Sequence, residues 1–383
     1  MKKKVISIFS GIDTMGLGFS EYFDTVLAVE IEKYACETLL ANKDKYHPNL
    51  EVINQDIFTI PDSQIEEYKG VIGIIGGPPC QAFSRAKGVY DPDDIRIKGL
   101  PEYIRWVRIV EPKFFIFENV KSIVDKDKKE KFNYLIDELS KLGYDINYSV
   151  LNSHDYGNAQ NRERMIVVGF KSDLDIDFKF PKHSQHKKYV RDILDEPGKT
   201  TEYSKLTPKF QKLMPHIPEG GNWRNLQDEE LLELALGVNY KNRAGGMTGV
   251  CRRLHRDRPC PTITTSPSQN TTLMVHPIED RFLSVEECRR GQGIPDDYKI
   301  IGPMSKKYKF IGNGVPVEMA NCLAKSIHEA ILKYEYINKT QLLSDFDTNH
   351  SKEDISISNK IPSEYNIEDI TEVSDNNQIK FII

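Results

Sequence analysis

Three residue types able to do covalent and proton-transfer chemistry stand where apolar runs of the chain end. Cys80 follows Gly76-Gly77-Pro78-Pro79 at the close of the apolar run 71–77. Two prolines fix φ and remove two backbone donors, so they would present the thiol rigidly at a strand tip. A single cysteine is most often a small buried hydrophobe. A Pro-Pro corner suits that role poorly, and an activated nucleophile is the stronger reading. Glu118 closes the run 114–117. A carboxylate there is either a cap at a strand–helix junction or a partly desolvated acid with a raised pKa, suited to proton donation. Arg162 and Arg164 lie two apart in Gln160-Asn161-Arg162-Glu163-Arg164. In an extended segment both point to one side, and a guanidinium near Cys80 would favour its thiolate.

A second group points to a nucleoside. The first apolar run ends in Phe9-Ser10-Gly11-Ile12-Asp13-Thr14-Met15-Gly16-Leu17-Gly18. Glycine-bearing turns between strand and helix bind nucleosides at the carboxyl edge of parallel sheets, although any tight turn could use these glycines. The acids Glu30 and Asp56 at the next two run ends strengthen the reading. The first is placed to bridge ribose hydroxyls and the second to accept from an adenine amino group.

The elements that must carry these residues follow from periodicity. Strands are expected over 5–9, 25–30, 50–56, 71–77, 114–119, 146–152 and 165–170, with helices over 33–43, 130–143 and 317–336. Near-continuous apolar strands alternating with helices predict an α/β fold, a mostly parallel sheet covered on both faces. From 185 to 299 the rhythm fails and Pro and Gly accumulate, which predicts a second, irregular domain. The first domain then comprises 1–184 with 300–340, its last helix packing back on it. Residues 341–383 carry nine acids and three lysines and read as a flexible acidic tail. No apolar run approaches the ~18 residues of a membrane span, and the short run after Lys2-Lys3-Lys4 is a poor signal peptide, so a cytoplasmic protein is expected. Six cysteines without a C-x-x-C pair predict neither a disulfide framework nor structural zinc.

These segments together resemble the DNA (cytosine-5)-methyltransferases of bacterial type. The resemblance rests on Phe9-Ser10-Gly11, Glu30, Asp56, Gly77-Pro78-Pro79-Cys80-Gln81, Glu118-Asn119-Val120, Gln160-Asn161-Arg162-Glu163-Arg164, the 283–295 block, Tyr308-Lys309 and Gly312-Asn313-Gly314-Val315-Pro316, and covers about 1–335. It implies a Rossmann-like class I AdoMet-dependent methyltransferase sheet plus a small, irregular, mostly-β target-recognition domain. It implies S-adenosyl-L-methionine as donor, S-adenosyl-L-homocysteine as product, and no metal. Cys80 would add to cytosine C6, Glu118 would act at N3, and Arg162 would hold the O2 side of a base flipped from the stack, with Arg164 also in the catalytic set. Phe9, Ser10, Gly11, Ile12, Glu30, Ile31, Asp56, Ile57, Pro79, Asn313 and Val315 would surround the cofactor.

The same resemblance places Gln81, Ser84, Arg85 and Arg96 on a loop that closes over the flipped base, touching phosphate or sugar. The stretch 241–258 holds six Lys/Arg against Asp257, so a chain of formal net charge −5 carries a local +5 where DNA would be read. Arg243, Arg252 and Arg253 are the candidate groove contacts, with 262–272 and Trp223 as further ones. Asp13-Thr14 stands where the family usually has Gly-Gly. If that turn needs positive φ, Asp13 carries some strain. The partner is double-stranded DNA, with the protein a monomer and any cognate restriction endonuclease acting separately. Two alternatives stay open: a tRNA-directed cytosine methyltransferase, and a catalytically silent DNA-binding homologue.

Overall fold

The computed structural model describes residues 2–79, 99–125, 129–196, 198–200, 202–238 and 248–349, and two short strands at 371–373 and 379–381. Seven strands build the central sheet: β1 (Lys3–Ile8), β2 (Phe23–Glu30), β3 (Glu51–Asn54), β4 (Gly73–Gly76), β5 (Phe114–Val120), β6 (Tyr144–Asn152) and β8 (Glu163–Lys171). Their order is β3-β2-β1-β4-β5-β8-β6. The first five are parallel neighbours, while β8 runs antiparallel to both β5 and β6. Strand order reverses between β1 and β4, and in open α/β sheets the crevice outside the carboxyl ends at such a point is where ligands bind. A separate short strand, β7 (Gln160–Asn161), pairs in parallel with β9 (Cys260–Pro261).

Alternation along the strands sorts the core onto two faces. Ile6, Ile8, Leu27, Val29, Ile74, Phe115, Phe117 and Val167 share one apolar cluster with α4 (Gly99–Val110) and α5 (Lys129–Lys141). The helix α4 buries Leu100, Tyr103, Ile104, Trp106, Val107 and Val110 there, an i, i+3, i+4, i+7 stripe. The intervening residues Val5, Phe23, Ile75, Phe114, Ile116, Ile166 and Val168 face α10 (Val317–Asn349), which contributes Met319, Leu323, Ile327 and Ile331. Helices α1 (Thr14–Phe19), α2 (Lys33–Tyr46) and α3 (Asp62–Glu66) connect the first four strands.

The chain divides into two compact units, residues 1–332 and 333–383. Within the first, residues 206–282 gather an apolar cluster of their own, including Phe210, Leu213, Met214, Leu226, Leu236, Cys251, Leu273, Val275 and Phe282. The irregularity expected of 185–299 is present, but the mostly-β character is not. Among the described residues this stretch holds the helices α6 (Pro208–Leu213), α7 (Glu229–Leu236) and α8 (Val285–Gly291), several 3-10 turns, and only the two-residue β9. Pro208, Pro215 and Pro218 interrupt any ladder, and backbone carbonyls there turn to a buried arginine instead. The helix α9 (Met304–Asn313) and α10 then return to the sheet. The second unit carries an antiparallel pair, Thr371–Val373 with Ile379–Phe381.

Candidate active site

The turns that the sequence singles out after β1, β2 and β3 stand at the carboxyl ends of parallel strands, beside the β1/β4 reversal. Phe9 and Gly11 both adopt positive φ, 53° and 56°. Only glycine tolerates this freely, and a Cβ built on Gly11 would meet nothing within 4 Å, so the turn borders open space. Glu30, at the end of β2, accepts from the Gly11 N–H at 2.7 Å and the Glu32 N–H at 2.8 Å. Ser10 is tied to the Val29 carbonyl. Next to them Ile31 is 62% exposed, an apolar side chain without cover. Asp56 caps the 3-10 turn 57–59 through the Phe58 N–H, with Ile57 buried behind it. Asn313 is exposed and Val315 buried across the turn between α9 and α10. An uncovered apolar side chain, a ribose-sized carboxylate and a bare glycine turn fit a nucleoside cofactor.

Asp13 takes the strained conformation its place implied, with φ 49° and ψ 48°. The strain is offset locally. Its Oδ1 accepts from the Gly16 N–H and the Ser7 hydroxyl, capping α1. Burial pushes its carboxyl above the usual range, which the neighbouring His47 and the hydrogen bonds from Ser7 and Gly16 only partly offset. Thr14 Oγ1 accepts the Val315 N–H at 2.8 Å, joining the turn after β1 to that after α9.

Glu118 and the Pro-Pro segment meet at the ends of β4 and β5. Glu118 is 9% exposed, and its Oε1 pairs with Arg164 Nε at 2.8 Å. Burial raises its pKa, and the charges of Arg164 and Arg162 oppose the shift without cancelling it. Gly77 makes this placement possible: a Cβ there would stand 2.5 Å from Glu118 Oε2 and 2.9 Å from its backbone oxygen. Asn119 Nδ2 donates to the Pro78 carbonyl at 3.2 Å, bracing the Pro-Pro segment, whose Pro79 is exposed. Cys80 itself lies outside the described residues, as do Gln81, Ser84, Arg85 and Arg96. The two arginines divide their work. Arg162 is 1% exposed and donates to the backbone oxygens of Ile263 (2.9 Å) and Gly312 (2.7 Å). Arg164, not Arg162, makes the ion pair with the acid.

Residues 3–329 match the family described as C-5 cytosine-specific DNA methylase. The chain belongs to that family. Type II methyltransferase M.Sau96I of Staphylococcus aureus is 36% identical over 328 residues, 84% of this chain and 75% of that one. M.Eco47II of Escherichia coli is 33% identical over 336 residues, 84% and 78% of the two chains. Among solved structures, the Entamoeba histolytica methyltransferase EhMeth aligns with a TM-score of 0.62 at 18% identity, covering 86% of this chain and 99% of that one; the likeness is one of fold.

On this methylase the predicted DNA-reading residues separate. Arg253 is not available to a base edge. It is 5% exposed and donates to the carbonyls of Ile217, Met214, His276 and Glu279 and to the Asp280 carboxylate. A guanidinium with every donor spent inside the fold organises a loop region; it does not read sequence. Arg252 is half-buried, its Nε on the Leu273 carbonyl. Arg243 lies outside the described residues. Among the described residues no cluster of three or more His, Cys, Asp or Glu could hold a metal ion, and no helix is long and apolar enough to cross a membrane. Sequence reasoning passed over Thr14, Asn119, Gln160 and Gln292 as individual actors. All are buried, uncharged and hydrogen-bonded across the chain, and sequence offers no charge or periodicity by which to find them.

Proposed function

We propose that this methylase transfers a methyl group to C5 of a specific cytosine in double-stranded DNA, with Cys80 as the covalent nucleophile. S-adenosyl-L-methionine supplies the electrophilic methyl group when bound. Phe9, Ser10, Gly11, Ile12, Glu30, Ile31, Asp56, Ile57, Pro79, Asn313 and Val315 would hold it. The Cys80 thiolate forms a bond to C6 of a flipped cytosine while Glu118 gives its proton to N3, so electron density accumulates at C5. Once C5 carries the methyl group, loss of the C5 proton to a base expels the Cys80 thiolate, and N3 returns its proton to Glu118, which restores the ring and the acid. Arg164 holds the Glu118 carboxylate in place and supports charge at the O2 side, the part first assigned to Arg162. Arg162 acts behind it as a brace.

The observation carrying this reading is the Glu118 carboxyl, desolvated and raised in pKa, packed against the bare Gly77 three residues before Cys80. A carboxyl whose pKa is raised by burial gives up a proton to N3 at higher pH than an exposed carboxyl would. The 206–282 cluster supports a recognition domain within 185–299 served by the methyl-transfer domain of 1–184 and 300–340. The Type II naming of the relatives supports a cognate restriction endonuclease acting separately on DNA. The methylase itself would act as a cytoplasmic monomer. The test is a duplex with 5-fluorocytosine at the methylated position, mapped first by sequencing. Wild type should form a denaturation-resistant adduct at Cys80, and Cys80→Ala should form none while still binding S-adenosyl-L-homocysteine. Methylation of tRNA in preference to duplex DNA would overturn the substrate assignment.

A further inference from the structure

A line of buried polar contacts runs from the turn that borders the cofactor crevice to the edge of the recognition region. Thr14 Oγ1 takes the Val315 N–H. The neighbouring Gly314 carbonyl accepts from Gln292 Nε2. Gln292 Oε1 accepts from Gln160 Nε2 at 2.7 Å, and that same nitrogen donates to the Gly291 carbonyl at 3.1 Å. Gln160 Oε1 accepts the Ile263 N–H at 2.7 Å. Arg162 then grips the Ile263 carbonyl and, with its other nitrogen, the Gly312 carbonyl. The Ile263 peptide is thus held on its N–H by one residue of this segment and on its oxygen by another. Gln160 and Gln292 are both fully buried.

The polarity of this line is set at both ends by backbone. An N–H at Ile263 demands an oxygen, which fixes Gln160 Oε1 there and turns Nε2 toward Gln292. Gln292 must then offer oxygen, leaving its own Nε2 for the Gly314 carbonyl. Neither amide can flip without setting donor against donor or acceptor against acceptor, and a buried unsatisfied amide is costly. The pair therefore has one low-energy arrangement that fits one spacing between the 263 segment and the 314–315 turn.

We propose that Gln160 and Gln292 are positioning residues that couple occupancy of the cofactor turn to engagement of DNA by the recognition region. The proposal rests on the function proposed above. DNA that seats the segment around Ile263 favours the amide arrangement that also seats Gly314 and Val315, and through Thr14 the turn at the cofactor. By reciprocity, cofactor in the turn favours DNA binding by the same factor.

The experiment measures the Kd of S-adenosyl-L-homocysteine on the full chain, with and without a saturating 30-base-pair duplex carrying the mapped site. Wild type should bind the homocysteine product more tightly with DNA, by a factor of about 5 to 150. Gln292→Met keeps the side-chain length and deletes the polarity, and Thr14→Val deletes only the acceptor for Val315. Each should bring the ratio to within about twofold of one while either ligand alone binds within about threefold of wild type, as removal of a coupling contact requires. Gln160→Met/Gln292→Met should lose no more coupling than either single change, because the two amides act as a unit. A wild-type ratio of one, or variants that keep the wild-type ratio, overturns the proposal. If Gln292→Met does not fold, Thr14→Val decides alone. Failure of wild type to bind S-adenosyl-L-homocysteine at all would instead defeat the function proposed above.

Discussion

Gly77→Ala is a one-carbon perturbation aimed at Glu118, the proposed proton donor. The added Cβ would lie 2.5 Å from Glu118 Oε2, where ordinary contact begins near 3.4 Å, so about 0.9 Å must be made up. The Glu118 backbone oxygen, 2.9 Å from the same Cβ, cannot yield, because β5 is locked between β4 and β8. The carboxylate must therefore move, and it is held by Arg164 Nε on its other oxygen. Overpacking of this kind costs about 1–3 kcal/mol. Misplacing a reacting group by about 1 Å costs on the order of a hundredfold in rate. The control is Gly143→Ala, at the opposite edge of the sheet between α5 and β6. There φ is 81° and a Cβ meets nothing within 4 Å, so only backbone strain is introduced. Methyl incorporation into duplex DNA gives kcat/KM, and thermal melts give stability. Gly77→Ala should lose about a hundredfold in kcat/KM and Gly143→Ala should stay close to wild type in the folded protein. Equal activity losses in the two variants would refute the argument that Gly77 exists to admit Glu118.

Three more predictions follow from the charged groups. Arg164→Gln removes the nearest charge holding the Glu118 pKa down, so kcat should fall and the alkaline limb of its pH profile should move to higher pH; a downward move would contradict the pairing. Arg253→Ala leaves four backbone carbonyls without their donor, which should destabilise the protein by about 3–5 kcal/mol. Bisulfite sequencing should find the same methylated site for this variant, and a relaxed site would return Arg253 to the groove. His47 and His276 are buried with lowered pKa values, desolvation being the largest cause. At these two sites the folded state thus binds fewer protons than the unfolded one below about pH 6.5. Stability to urea should therefore fall as pH drops from 7 to 5.5, and a flat profile would show that neither residue is held neutral.

The sheet was legible because each buried strand is an apolar run ending in a chemically distinct residue. The expected run at 146–152 became Tyr144–Asn152 and that at 71–77 became Gly73–Gly76, shifts of a few residues at the ends. Helix α10 extends to Asn349, past the expected 336, since no proline or glycine stops it. The acids Glu30, Asp56 and Glu118 stood out in the sequence because each follows an apolar run; the structure puts Glu30 at the end of β2, Glu118 near the end of β5 and Asp56 at the cap of the 3-10 turn 57–59. Arg253 was misplaced for a general reason. Local charge counts basic residues but carries no sign of which way each side chain faces, and five internal acceptors on two separate segments, 214–217 and 276–280, are invisible in sequence. The amides of Gln160 and Gln292 escaped for the complementary reason: their meaning lies in partners 131 and 132 residues away.

The antiparallel strand explains why the acid and its arginine come from segments more than forty residues apart in the chain. β5 delivers Glu118 at its carboxyl end, the edge where the crevice lies. A parallel neighbour would begin at the far edge, so residues at its start could not reach the crevice. β8 runs the other way, so its first residues arrive beside the end of β5, with Arg164 opposite Val120 and Ile166 opposite Glu118. Glu118 and Arg164 are then diagonal neighbours on one face, a spacing long side chains can bridge. Arg162, two residues earlier, projects past the end of β5 toward the 263 and 312 carbonyls instead. One reversal of strand direction thus assigns neighbouring arginines to different tasks, the later to Glu118 and the earlier to the joint between the 263 segment and the end of α9.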